Sequence, residues 1–239
     1  MSDFLTENLK EVERRIQAAC DRAGRSREEV TLIAVSKTKP VEMLKAVYDA
    51  GSRNFGENKV QEMCDKMEVL PSDIRWHMIG HLQTNKVRSI APFVRMIQSV
   101  DSARLAETIQ REAARCGRTI DILLEIHVAQ EETKSGWDVG ELKRYLDSAP
   151  FRSMPNIRVR GVMGIATNTD DERVVRRDFE ELKRCFDLLR PYFGVYFDTL
   201  SMGMSHDYPL AVECGSTMVR VGSLIFGERD YAKKEEVVG

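Results

Sequence analysis

Apolar residues recur at helical spacing from the start of the chain. Phe4, Leu5, Leu9, Val12, Ile16 and Ala19 fall on one face, and Gly24 ends the pattern, which predicts a helix over 4–23. The next apolar run, TLIAVSK over 31–37, is rich in β-branched residues and predicts a buried strand. Pro40 opens a helix through VEMLKAVYDAG that ends at Gly51. The alternation then repeats. Further strands are predicted over 53–56, 75–79, 94–100, 120–128, 157–164, 199–202 and 218–221. Helices are predicted over 58–69, 85–90, 103–116, 139–148, 171–189 and 207–213. That makes eight strands, a helix after seven of them and one extra helix in front. Strands alternating with helices imply parallel pairing. Eight such units in 239 residues match the size of a (β/α)8 barrel. The first strand–helix turn, Ser36-Lys37-Thr38-Lys39-Pro40, lacks the glycine fingerprint of a doubly wound nucleotide-binding sheet. The expected fold is an α/β protein, a single (β/α)8 TIM barrel with an extra N-terminal helix. No low-complexity linker divides the chain, so residues 1–239 are expected to form one domain, with the tail KKEEVVG frayed.

Composition adds exclusions. With 42% hydrophobic and 31% charged residues the chain has ordinary globular content, which excludes a disordered or fibrous protein. Thirty-six basic residues against 38 acidic ones give a net charge of −2. Duplex nucleic acid and anionic membranes both call for a basic footprint, so neither is the expected partner. The longest apolar runs have strand length, far short of a membrane span. The acidic, amphipathic N-terminus carries no secretory signal. Cys20, Cys64, Cys116, Cys185 and Cys214 lie far apart, without metal spacing and in odd number. They read as reduced thiols, and the cytoplasm is the expected compartment.

In a barrel of this kind the functional site lies at the C-terminal ends of the strands. Lys37 ends the first predicted strand in phase with Ile33 and Val35. If those two fill the interior, its amine emerges at the centre of the mouth, where partial desolvation makes it a Schiff-base nucleophile. A solvated lysine at a strand exit is the alternative. Lys39, in the loop before Pro40, is expected to face water. The loops after strands seven and eight, where such barrels commonly hold a phosphate, read Ser201-Met202-Gly203-Met204-Ser205 and Gly222-Ser223. They supply hydroxyls, close backbone approach and free amides. Arg220 shares a face with Met218 and Gly222, where a guanidinium calls for a partner. A lysine nucleophile opposite a phosphate cradle suits pyridoxal 5′-phosphate (PLP), whose aldehyde and phosphate lie on opposite sides of one ring. A Schiff-base aldolase on a sugar phosphate has the same needs. His77 and His81, four apart on a strand, lack a third ligand nearby and are not expected to hold metal. Asn58 could cap a helix or touch a ligand. Met163 is expected in the core, and 83–86 as a helix start.

Six ordered motifs then carry a resemblance. They are AVSKTKP from Ala34, FGEN from Phe55, HMIGHLQTNK from His77, GVMG from Gly161, SMGMS from Ser201 and RVGSLIFG from Arg220. Together they resemble the pyridoxal phosphate homeostasis protein family over about residues 10–230. The resemblance implies a barrel similar to the N-terminal domain of alanine racemase, with PLP held as a Schiff base on Lys37. It implies phosphate contacts from Ser201, Ser205, Gly222 and Ser223, a ring-nitrogen contact from Arg220, and a further contact from Asn58. It also implies a protein that buffers or delivers the cofactor to PLP-dependent apoenzymes, without catalytic residues of its own.

Two arguments set this apart from an amino-acid racemase, the main alternative. Racemisation needs a base on each face of the carbanion, and in alanine racemases the second is a tyrosine of a C-terminal domain. The short stretch after strand eight is expected to leave no such domain, and Tyr208 and Tyr231 have no matching framework. An arginine at the ring nitrogen also keeps that nitrogen unprotonated, since a guanidinium does not give up its proton. The ring is then a weaker electron sink. Without the racemase-type second domain, a monomer is expected.

Overall fold

The computed structural model describes residues 2–129, 135–148, 151 and 153–228. Eight parallel strands close into a barrel in sequence order: β1 (Thr31–Val35), β2 (Asn54–Glu57), β3 (Arg75–Met78), β4 (Met96–Val100), β5 (Ile120–Glu125), β6 (Ile157–Met163), β7 (Thr199–Ser201) and β8 (Met218–Val221). The seam is a parallel pairing of β1 with β8, in register from Thr31↔Met218 to Ala34↔Val221. The helices are α1 (Ser2–Arg22), α2 (Val41–Asp49), α3 (Val60–Val69), α4 (Val87–Ile90), α5 (Ala103–Arg115), α6 (Val139–Leu146), α7 (Glu172–Phe193), α8 (Tyr208–Glu213) and α9 (Ser223–Phe226).

Period two along each strand divides the core in two. Ile33, Met96, Leu123, Met163 and Met218 point inward and form a buried cluster of their own. The alternate residues, such as Ala34, Ile97, Ile122, Leu124 and Val162, pack outward in the larger cluster with the helices. Met163 is core, as its position implied. The extra N-terminal helix α1 buries Leu5, Leu9, Val12, Ile16 and Ala19 against α2, α8 and α9. Asn8 Nδ2 on α1 donates to the carbonyl of Ile225 at 3.0 Å, tying α1 to the end of the barrel sequence.

Several boundaries depart from the periodicity. α9 was not expected, because four residues are too short to show a helical repeat. Burial of Ile225 and Phe226 holds it, so a helix follows every strand. β5 stops at Glu125, and beyond it Ile126 forms an isolated bridge to Trp137 while its amide still donates to the carbonyl of Met163 on β6 at 2.8 Å. α7 runs through Pro191 to Phe193, whose ring stacks on Phe197 at 5.0 Å, and Gly194 at φ 67° ends it. The expected fraying of the tail concerns residues outside the described ones, as does Tyr231. All five cysteines are free. Among the described residues no helix is long and apolar enough to cross a membrane.

Candidate functional site

At the C-terminal mouth of the barrel, a cavity of about 380 Å³ brings together Lys37, Asn58, Ser205, Arg220, Gly222 and Ser223. These residues come from the ends of β1, β2, β7 and β8. Val35, Ile79, Ile165 and Met204 add apolar walls. Ser201 alone of the sequence-predicted set does not line it.

β1 ends at Val35, so Lys37 sits in the turn that follows rather than on the strand. It stays on the interior face set by Ile33 and Val35 and borders the cavity, half-buried. The turn closes with the amide of Lys39 donating to the carbonyl of Ser36 at 3.1 Å. Thr38 adopts φ 64°, a left-handed conformation disfavoured for a β-branched residue. Its amide donates to Glu62 Oε1 at 2.5 Å. Behind the turn, on the helical side, Ser36 Oγ donates to Glu57 Oε1 at 2.6 Å. Lys66 of α3 donates to Glu57 Oε1, Glu62 Oε1 and the Ser36 carbonyl at 2.7, 2.7 and 2.8 Å. Burial pushes the Glu57 carboxyl upward, against the pull of Lys66. The strained residue beside Lys37 is thus held by a buried polar cluster. Lys39, expected in water, is half-buried and donates to the carbonyls of Gly227 and Glu228, both at 2.8 Å.

Asn58 does not cap α3; that position belongs to Lys59. Asn58 borders the cavity, and its Oδ1 is buried without a hydrogen-bond partner. Gly80 makes this placement possible, because a Cβ there would lie 2.7 Å from the Asn58 carbonyl oxygen and 2.8 Å from its Cα.

Arg220 is 4% exposed. Its NH1 donates to Ser201 Oγ at 2.6 Å and its NH2 to the Gly164 carbonyl at 3.0 Å. Burial pushes the guanidinium down to about 10, opposed by Asp207 and Glu125, so it remains a cation at neutral pH. Ser201 lies beneath Arg220, fully buried, and donates onward to Gln98 Oε1 at 2.7 Å. The sequence grouped Ser201 with the phosphate loop by proximity along the chain. Strand phase instead turns its hydroxyl into the barrel.

At the opposite side, the amide of Gly222 donates to Ser205 Oγ at 3.2 Å, joining the β7 and β8 loops. The first intrahelical bond of α9 is made by Ile225 to Gly222, so the amides of Ser223 and Leu224 precede it. Gly203 has φ +95°, and a Cβ there would meet Ala211 Cβ at 2.6 Å, which lets the β7 loop fold tightly onto α8. Asp207 accepts from the Met204 amide at 2.6 Å and is pushed upward by burial.

His77 and His81 part company. His77 is buried inside the barrel, and His81 is exposed 3.3 Å from Asp101. No group of His, Cys, Asp and Glu able to hold a metal ion is found among the described residues. Thr84–Lys86 form a 3-10 turn before α4, in line with the helix start read there. His206, Ile79 and Ile165 were missed as cavity walls, though their positions just past strand ends are the signal that could have found them.

The family described as alanine racemase, N-terminal domain, matches residues 8–230. A pyridoxal phosphate homeostasis protein of Aquifex aeolicus is 42% identical over 226 residues, covering 94% of this chain and 98% of that one. The chain belongs to the pyridoxal phosphate homeostasis protein family. Another structural relative of this homeostasis-family chain is PipY of Synechococcus elongatus, solved with PLP bound. It superposes with a TM-score of 0.79 at 34% identity, covering 93% of this chain and all (100%) of that one. Alanine racemase of Corynebacterium glutamicum has a TM-score of 0.70 at 18% identity, covering 98% of this chain and 63% of its own, a likeness of fold alone.

Proposed function

We propose that this protein binds PLP in the mouth cavity, with Lys37 as covalent anchor, and buffers it or delivers it to PLP-dependent apoenzymes. The observation that carries the reading is one cavity bordered by a lysine, a guanidinium, an asparagine whose amide oxygen is orphaned and a hydroxyl–amide loop pair. The chemistry of that donor set fits the cofactor. When bound, the cofactor supplies an aldehyde, an aromatic ring with one nitrogen and a phosphate. The Lys37 amine condenses reversibly with the aldehyde carbon, with loss of water. Ser205, Gly222 and Ser223 hold the phosphate through a hydroxyl and backbone amides. Arg220 faces the ring nitrogen, and Asn58 contributes a further contact beside the cofactor. Ser201 serves from behind, through Arg220. The bound cofactor of PipY and the names of the curated relatives support this reading.

Arg220 also argues against a transaminase. A guanidinium leaves the ring nitrogen unprotonated, whereas fast transamination uses a carboxylate to protonate it. The test is spectroscopic. Purified protein loaded with PLP should show a visible Schiff-base band that Lys37→Ala abolishes. The loaded protein should pass its cofactor to an apoenzyme and restore that enzyme's activity. Sustained racemisation of amino acids, followed by chiral chromatography, would overturn the carrier reading in favour of a racemase. A phosphosugar cleaved without any visible band would point to an aldolase.

A further inference from the structure

A line of buried polar side chains runs from Arg220 down through the barrel interior, among apolar residues that need no such groups. Arg220 NH1 donates to Ser201 Oγ at 2.6 Å, and Ser201 Oγ donates to Gln98 Oε1 at 2.7 Å. Gln98 Nε2 lies 3.2 Å from His77 Nδ1 and also 3.2 Å from Met218 Sδ. His77 Nε2 lies 3.4 Å from Asn54 Oδ1 at the start of β2. Gln98 and Ser201 are 0% exposed and His77 is 3% exposed. Isolated polar groups this deep are costly, but in a continuous chain each donor meets an acceptor.

The chemistry of the groups sets the direction of the chain. A guanidinium only donates, so Ser201 Oγ accepts from Arg220 and has its own proton for Gln98. Gln98 therefore presents its carbonyl to Ser201 and its amide N–H to His77. An amide nitrogen cannot accept, so Nδ1 of His77 carries a lone pair and Nε2 carries the proton, which it donates to Asn54. Burial, with Arg95 and Arg75 adding repulsion, pulls His77 down to about 3 and keeps it neutral. A protonated His77 would turn Nδ1–H against the Gln98 amide and break the sequence.

We infer that Gln98 and His77 are positioning residues for Arg220, holding the guanidinium through Ser201 at the angle from which it meets the cofactor's ring nitrogen. The inference rests on the cofactor reading above. Among the described residues, the guanidinium has one other hydrogen bond from behind, to the Gly164 carbonyl. Loss of the Ser201 link would leave the guanidinium free to swing about that single bond. Neither Gln98 nor His77 borders the cavity, so any influence on bound cofactor must pass through Arg220.

The experiment measures PLP dissociation constants and bound spectra for wild type, Gln98→Met and Gln98→Glu, each in the presence and absence of Arg220→Met. Gln98→Met removes both polar ends of a side chain of similar volume. It should weaken binding about tenfold or more, as expected when a charged group loses part of its hydrogen-bonded support, and shift the visible band. Gln98→Glu keeps the acceptor for Ser201 but loses the donor to His77, and should recover only part of the loss. With Arg220→Met in place, Gln98→Met should change neither quantity further, because the two act as one unit. Nitrogen NMR of the apoprotein, with His77 assigned against His77→Gln, needs no folded Gln98 variant. It should report a neutral ring protonated on Nε2. Wild-type binding with no effect of Gln98→Met would overturn the positioning role and leave the cofactor reading intact. A proton on Nδ1 would overturn the chain itself. Wild type without any visible band would overturn both.

Discussion

The ammonium of Lys66 lies 2.7 Å from Glu57 Oε1, and both side chains are buried, at 6% and 0% exposure. The same nitrogen also reaches Glu62 and the Ser36 carbonyl, so one cation organises the turn that presents Lys37. Removing it is expected to cost more than neutralising its partner. Lys66→Met leaves a buried carboxylate uncompensated and should lower unfolding free energy by about 3–5 kcal/mol. Glu57→Gln keeps an acceptor for Lys66 and Ser36 and should cost about 1–2 kcal/mol. Urea denaturation of the two variants at neutral pH measures both. The reverse order would contradict the description of this cluster.

Ser201 and Ser205 look alike in sequence but stand in different places. Ser205 borders the cavity and meets the Gly222 amide, whereas Ser201 is spent on Arg220 and Gln98. Ser205→Ala should therefore weaken PLP binding while leaving affinity for pyridoxal, which lacks the phosphate, nearly unchanged. Ser201→Ala should weaken both about equally, and should also destabilise the apoprotein by about 1–3 kcal/mol through its two unpaired neighbours. Comparing dissociation constants for the two vitamers tests this. A phosphate-selective loss in Ser201→Ala would return that hydroxyl to the phosphate site.

His77 makes stability depend on pH in a definite direction. Its folded value is pulled to about 3 by burial, with Arg95 and Arg75 acting the same way and Asp121 against. In an unfolded chain histidine titrates near about 6.5. Between those values the unfolded state binds a proton that the folded state does not. Stability therefore rises with pH across this window and is lost as pH falls through it. From pH 7 to pH 5 the loss from this one group is about 2 kcal/mol. His77→Gln should be less stable than wild type at pH 7 and should close about that much of the gap at pH 5. Parallel pH profiles for the two proteins would show that His77 is not held neutral.

The order of elements and the barrel were legible because period two and period 3.6 alternate cleanly along the chain, from TLIAVSK onward. The position of Lys37 was legible for the same reason: its phase with Ile33 survives even though β1 stops two residues earlier. α9 was not, since Ser223–Phe226 folds by burying two side chains against α1 rather than by any repeat of its own. Lys39 was misread because sequence places it in a loop, while the carbonyls it meets come from residues nearly two hundred positions away, Gly227 and Glu228. Ser201 was grouped by adjacency with Ser205, and only the closed barrel reveals that its hydroxyl turns toward Gln98 on β4. Gln98 gave no signal, and His77 stood out only as one of a histidine pair not expected to hold metal, because a single polar residue in a strand reads the same whether it faces solvent or the interior.

The central claim is that the Lys37 amine is the covalent anchor of PLP. Borohydride reduction of the loaded protein, followed by proteolysis and mass spectrometry, tests it most directly. The account predicts one reduced adduct, on the peptide carrying Lys37, and none in Lys37→Ala. A wild-type adduct on Lys39, Lys66 or any other residue, or no adduct, would contradict it.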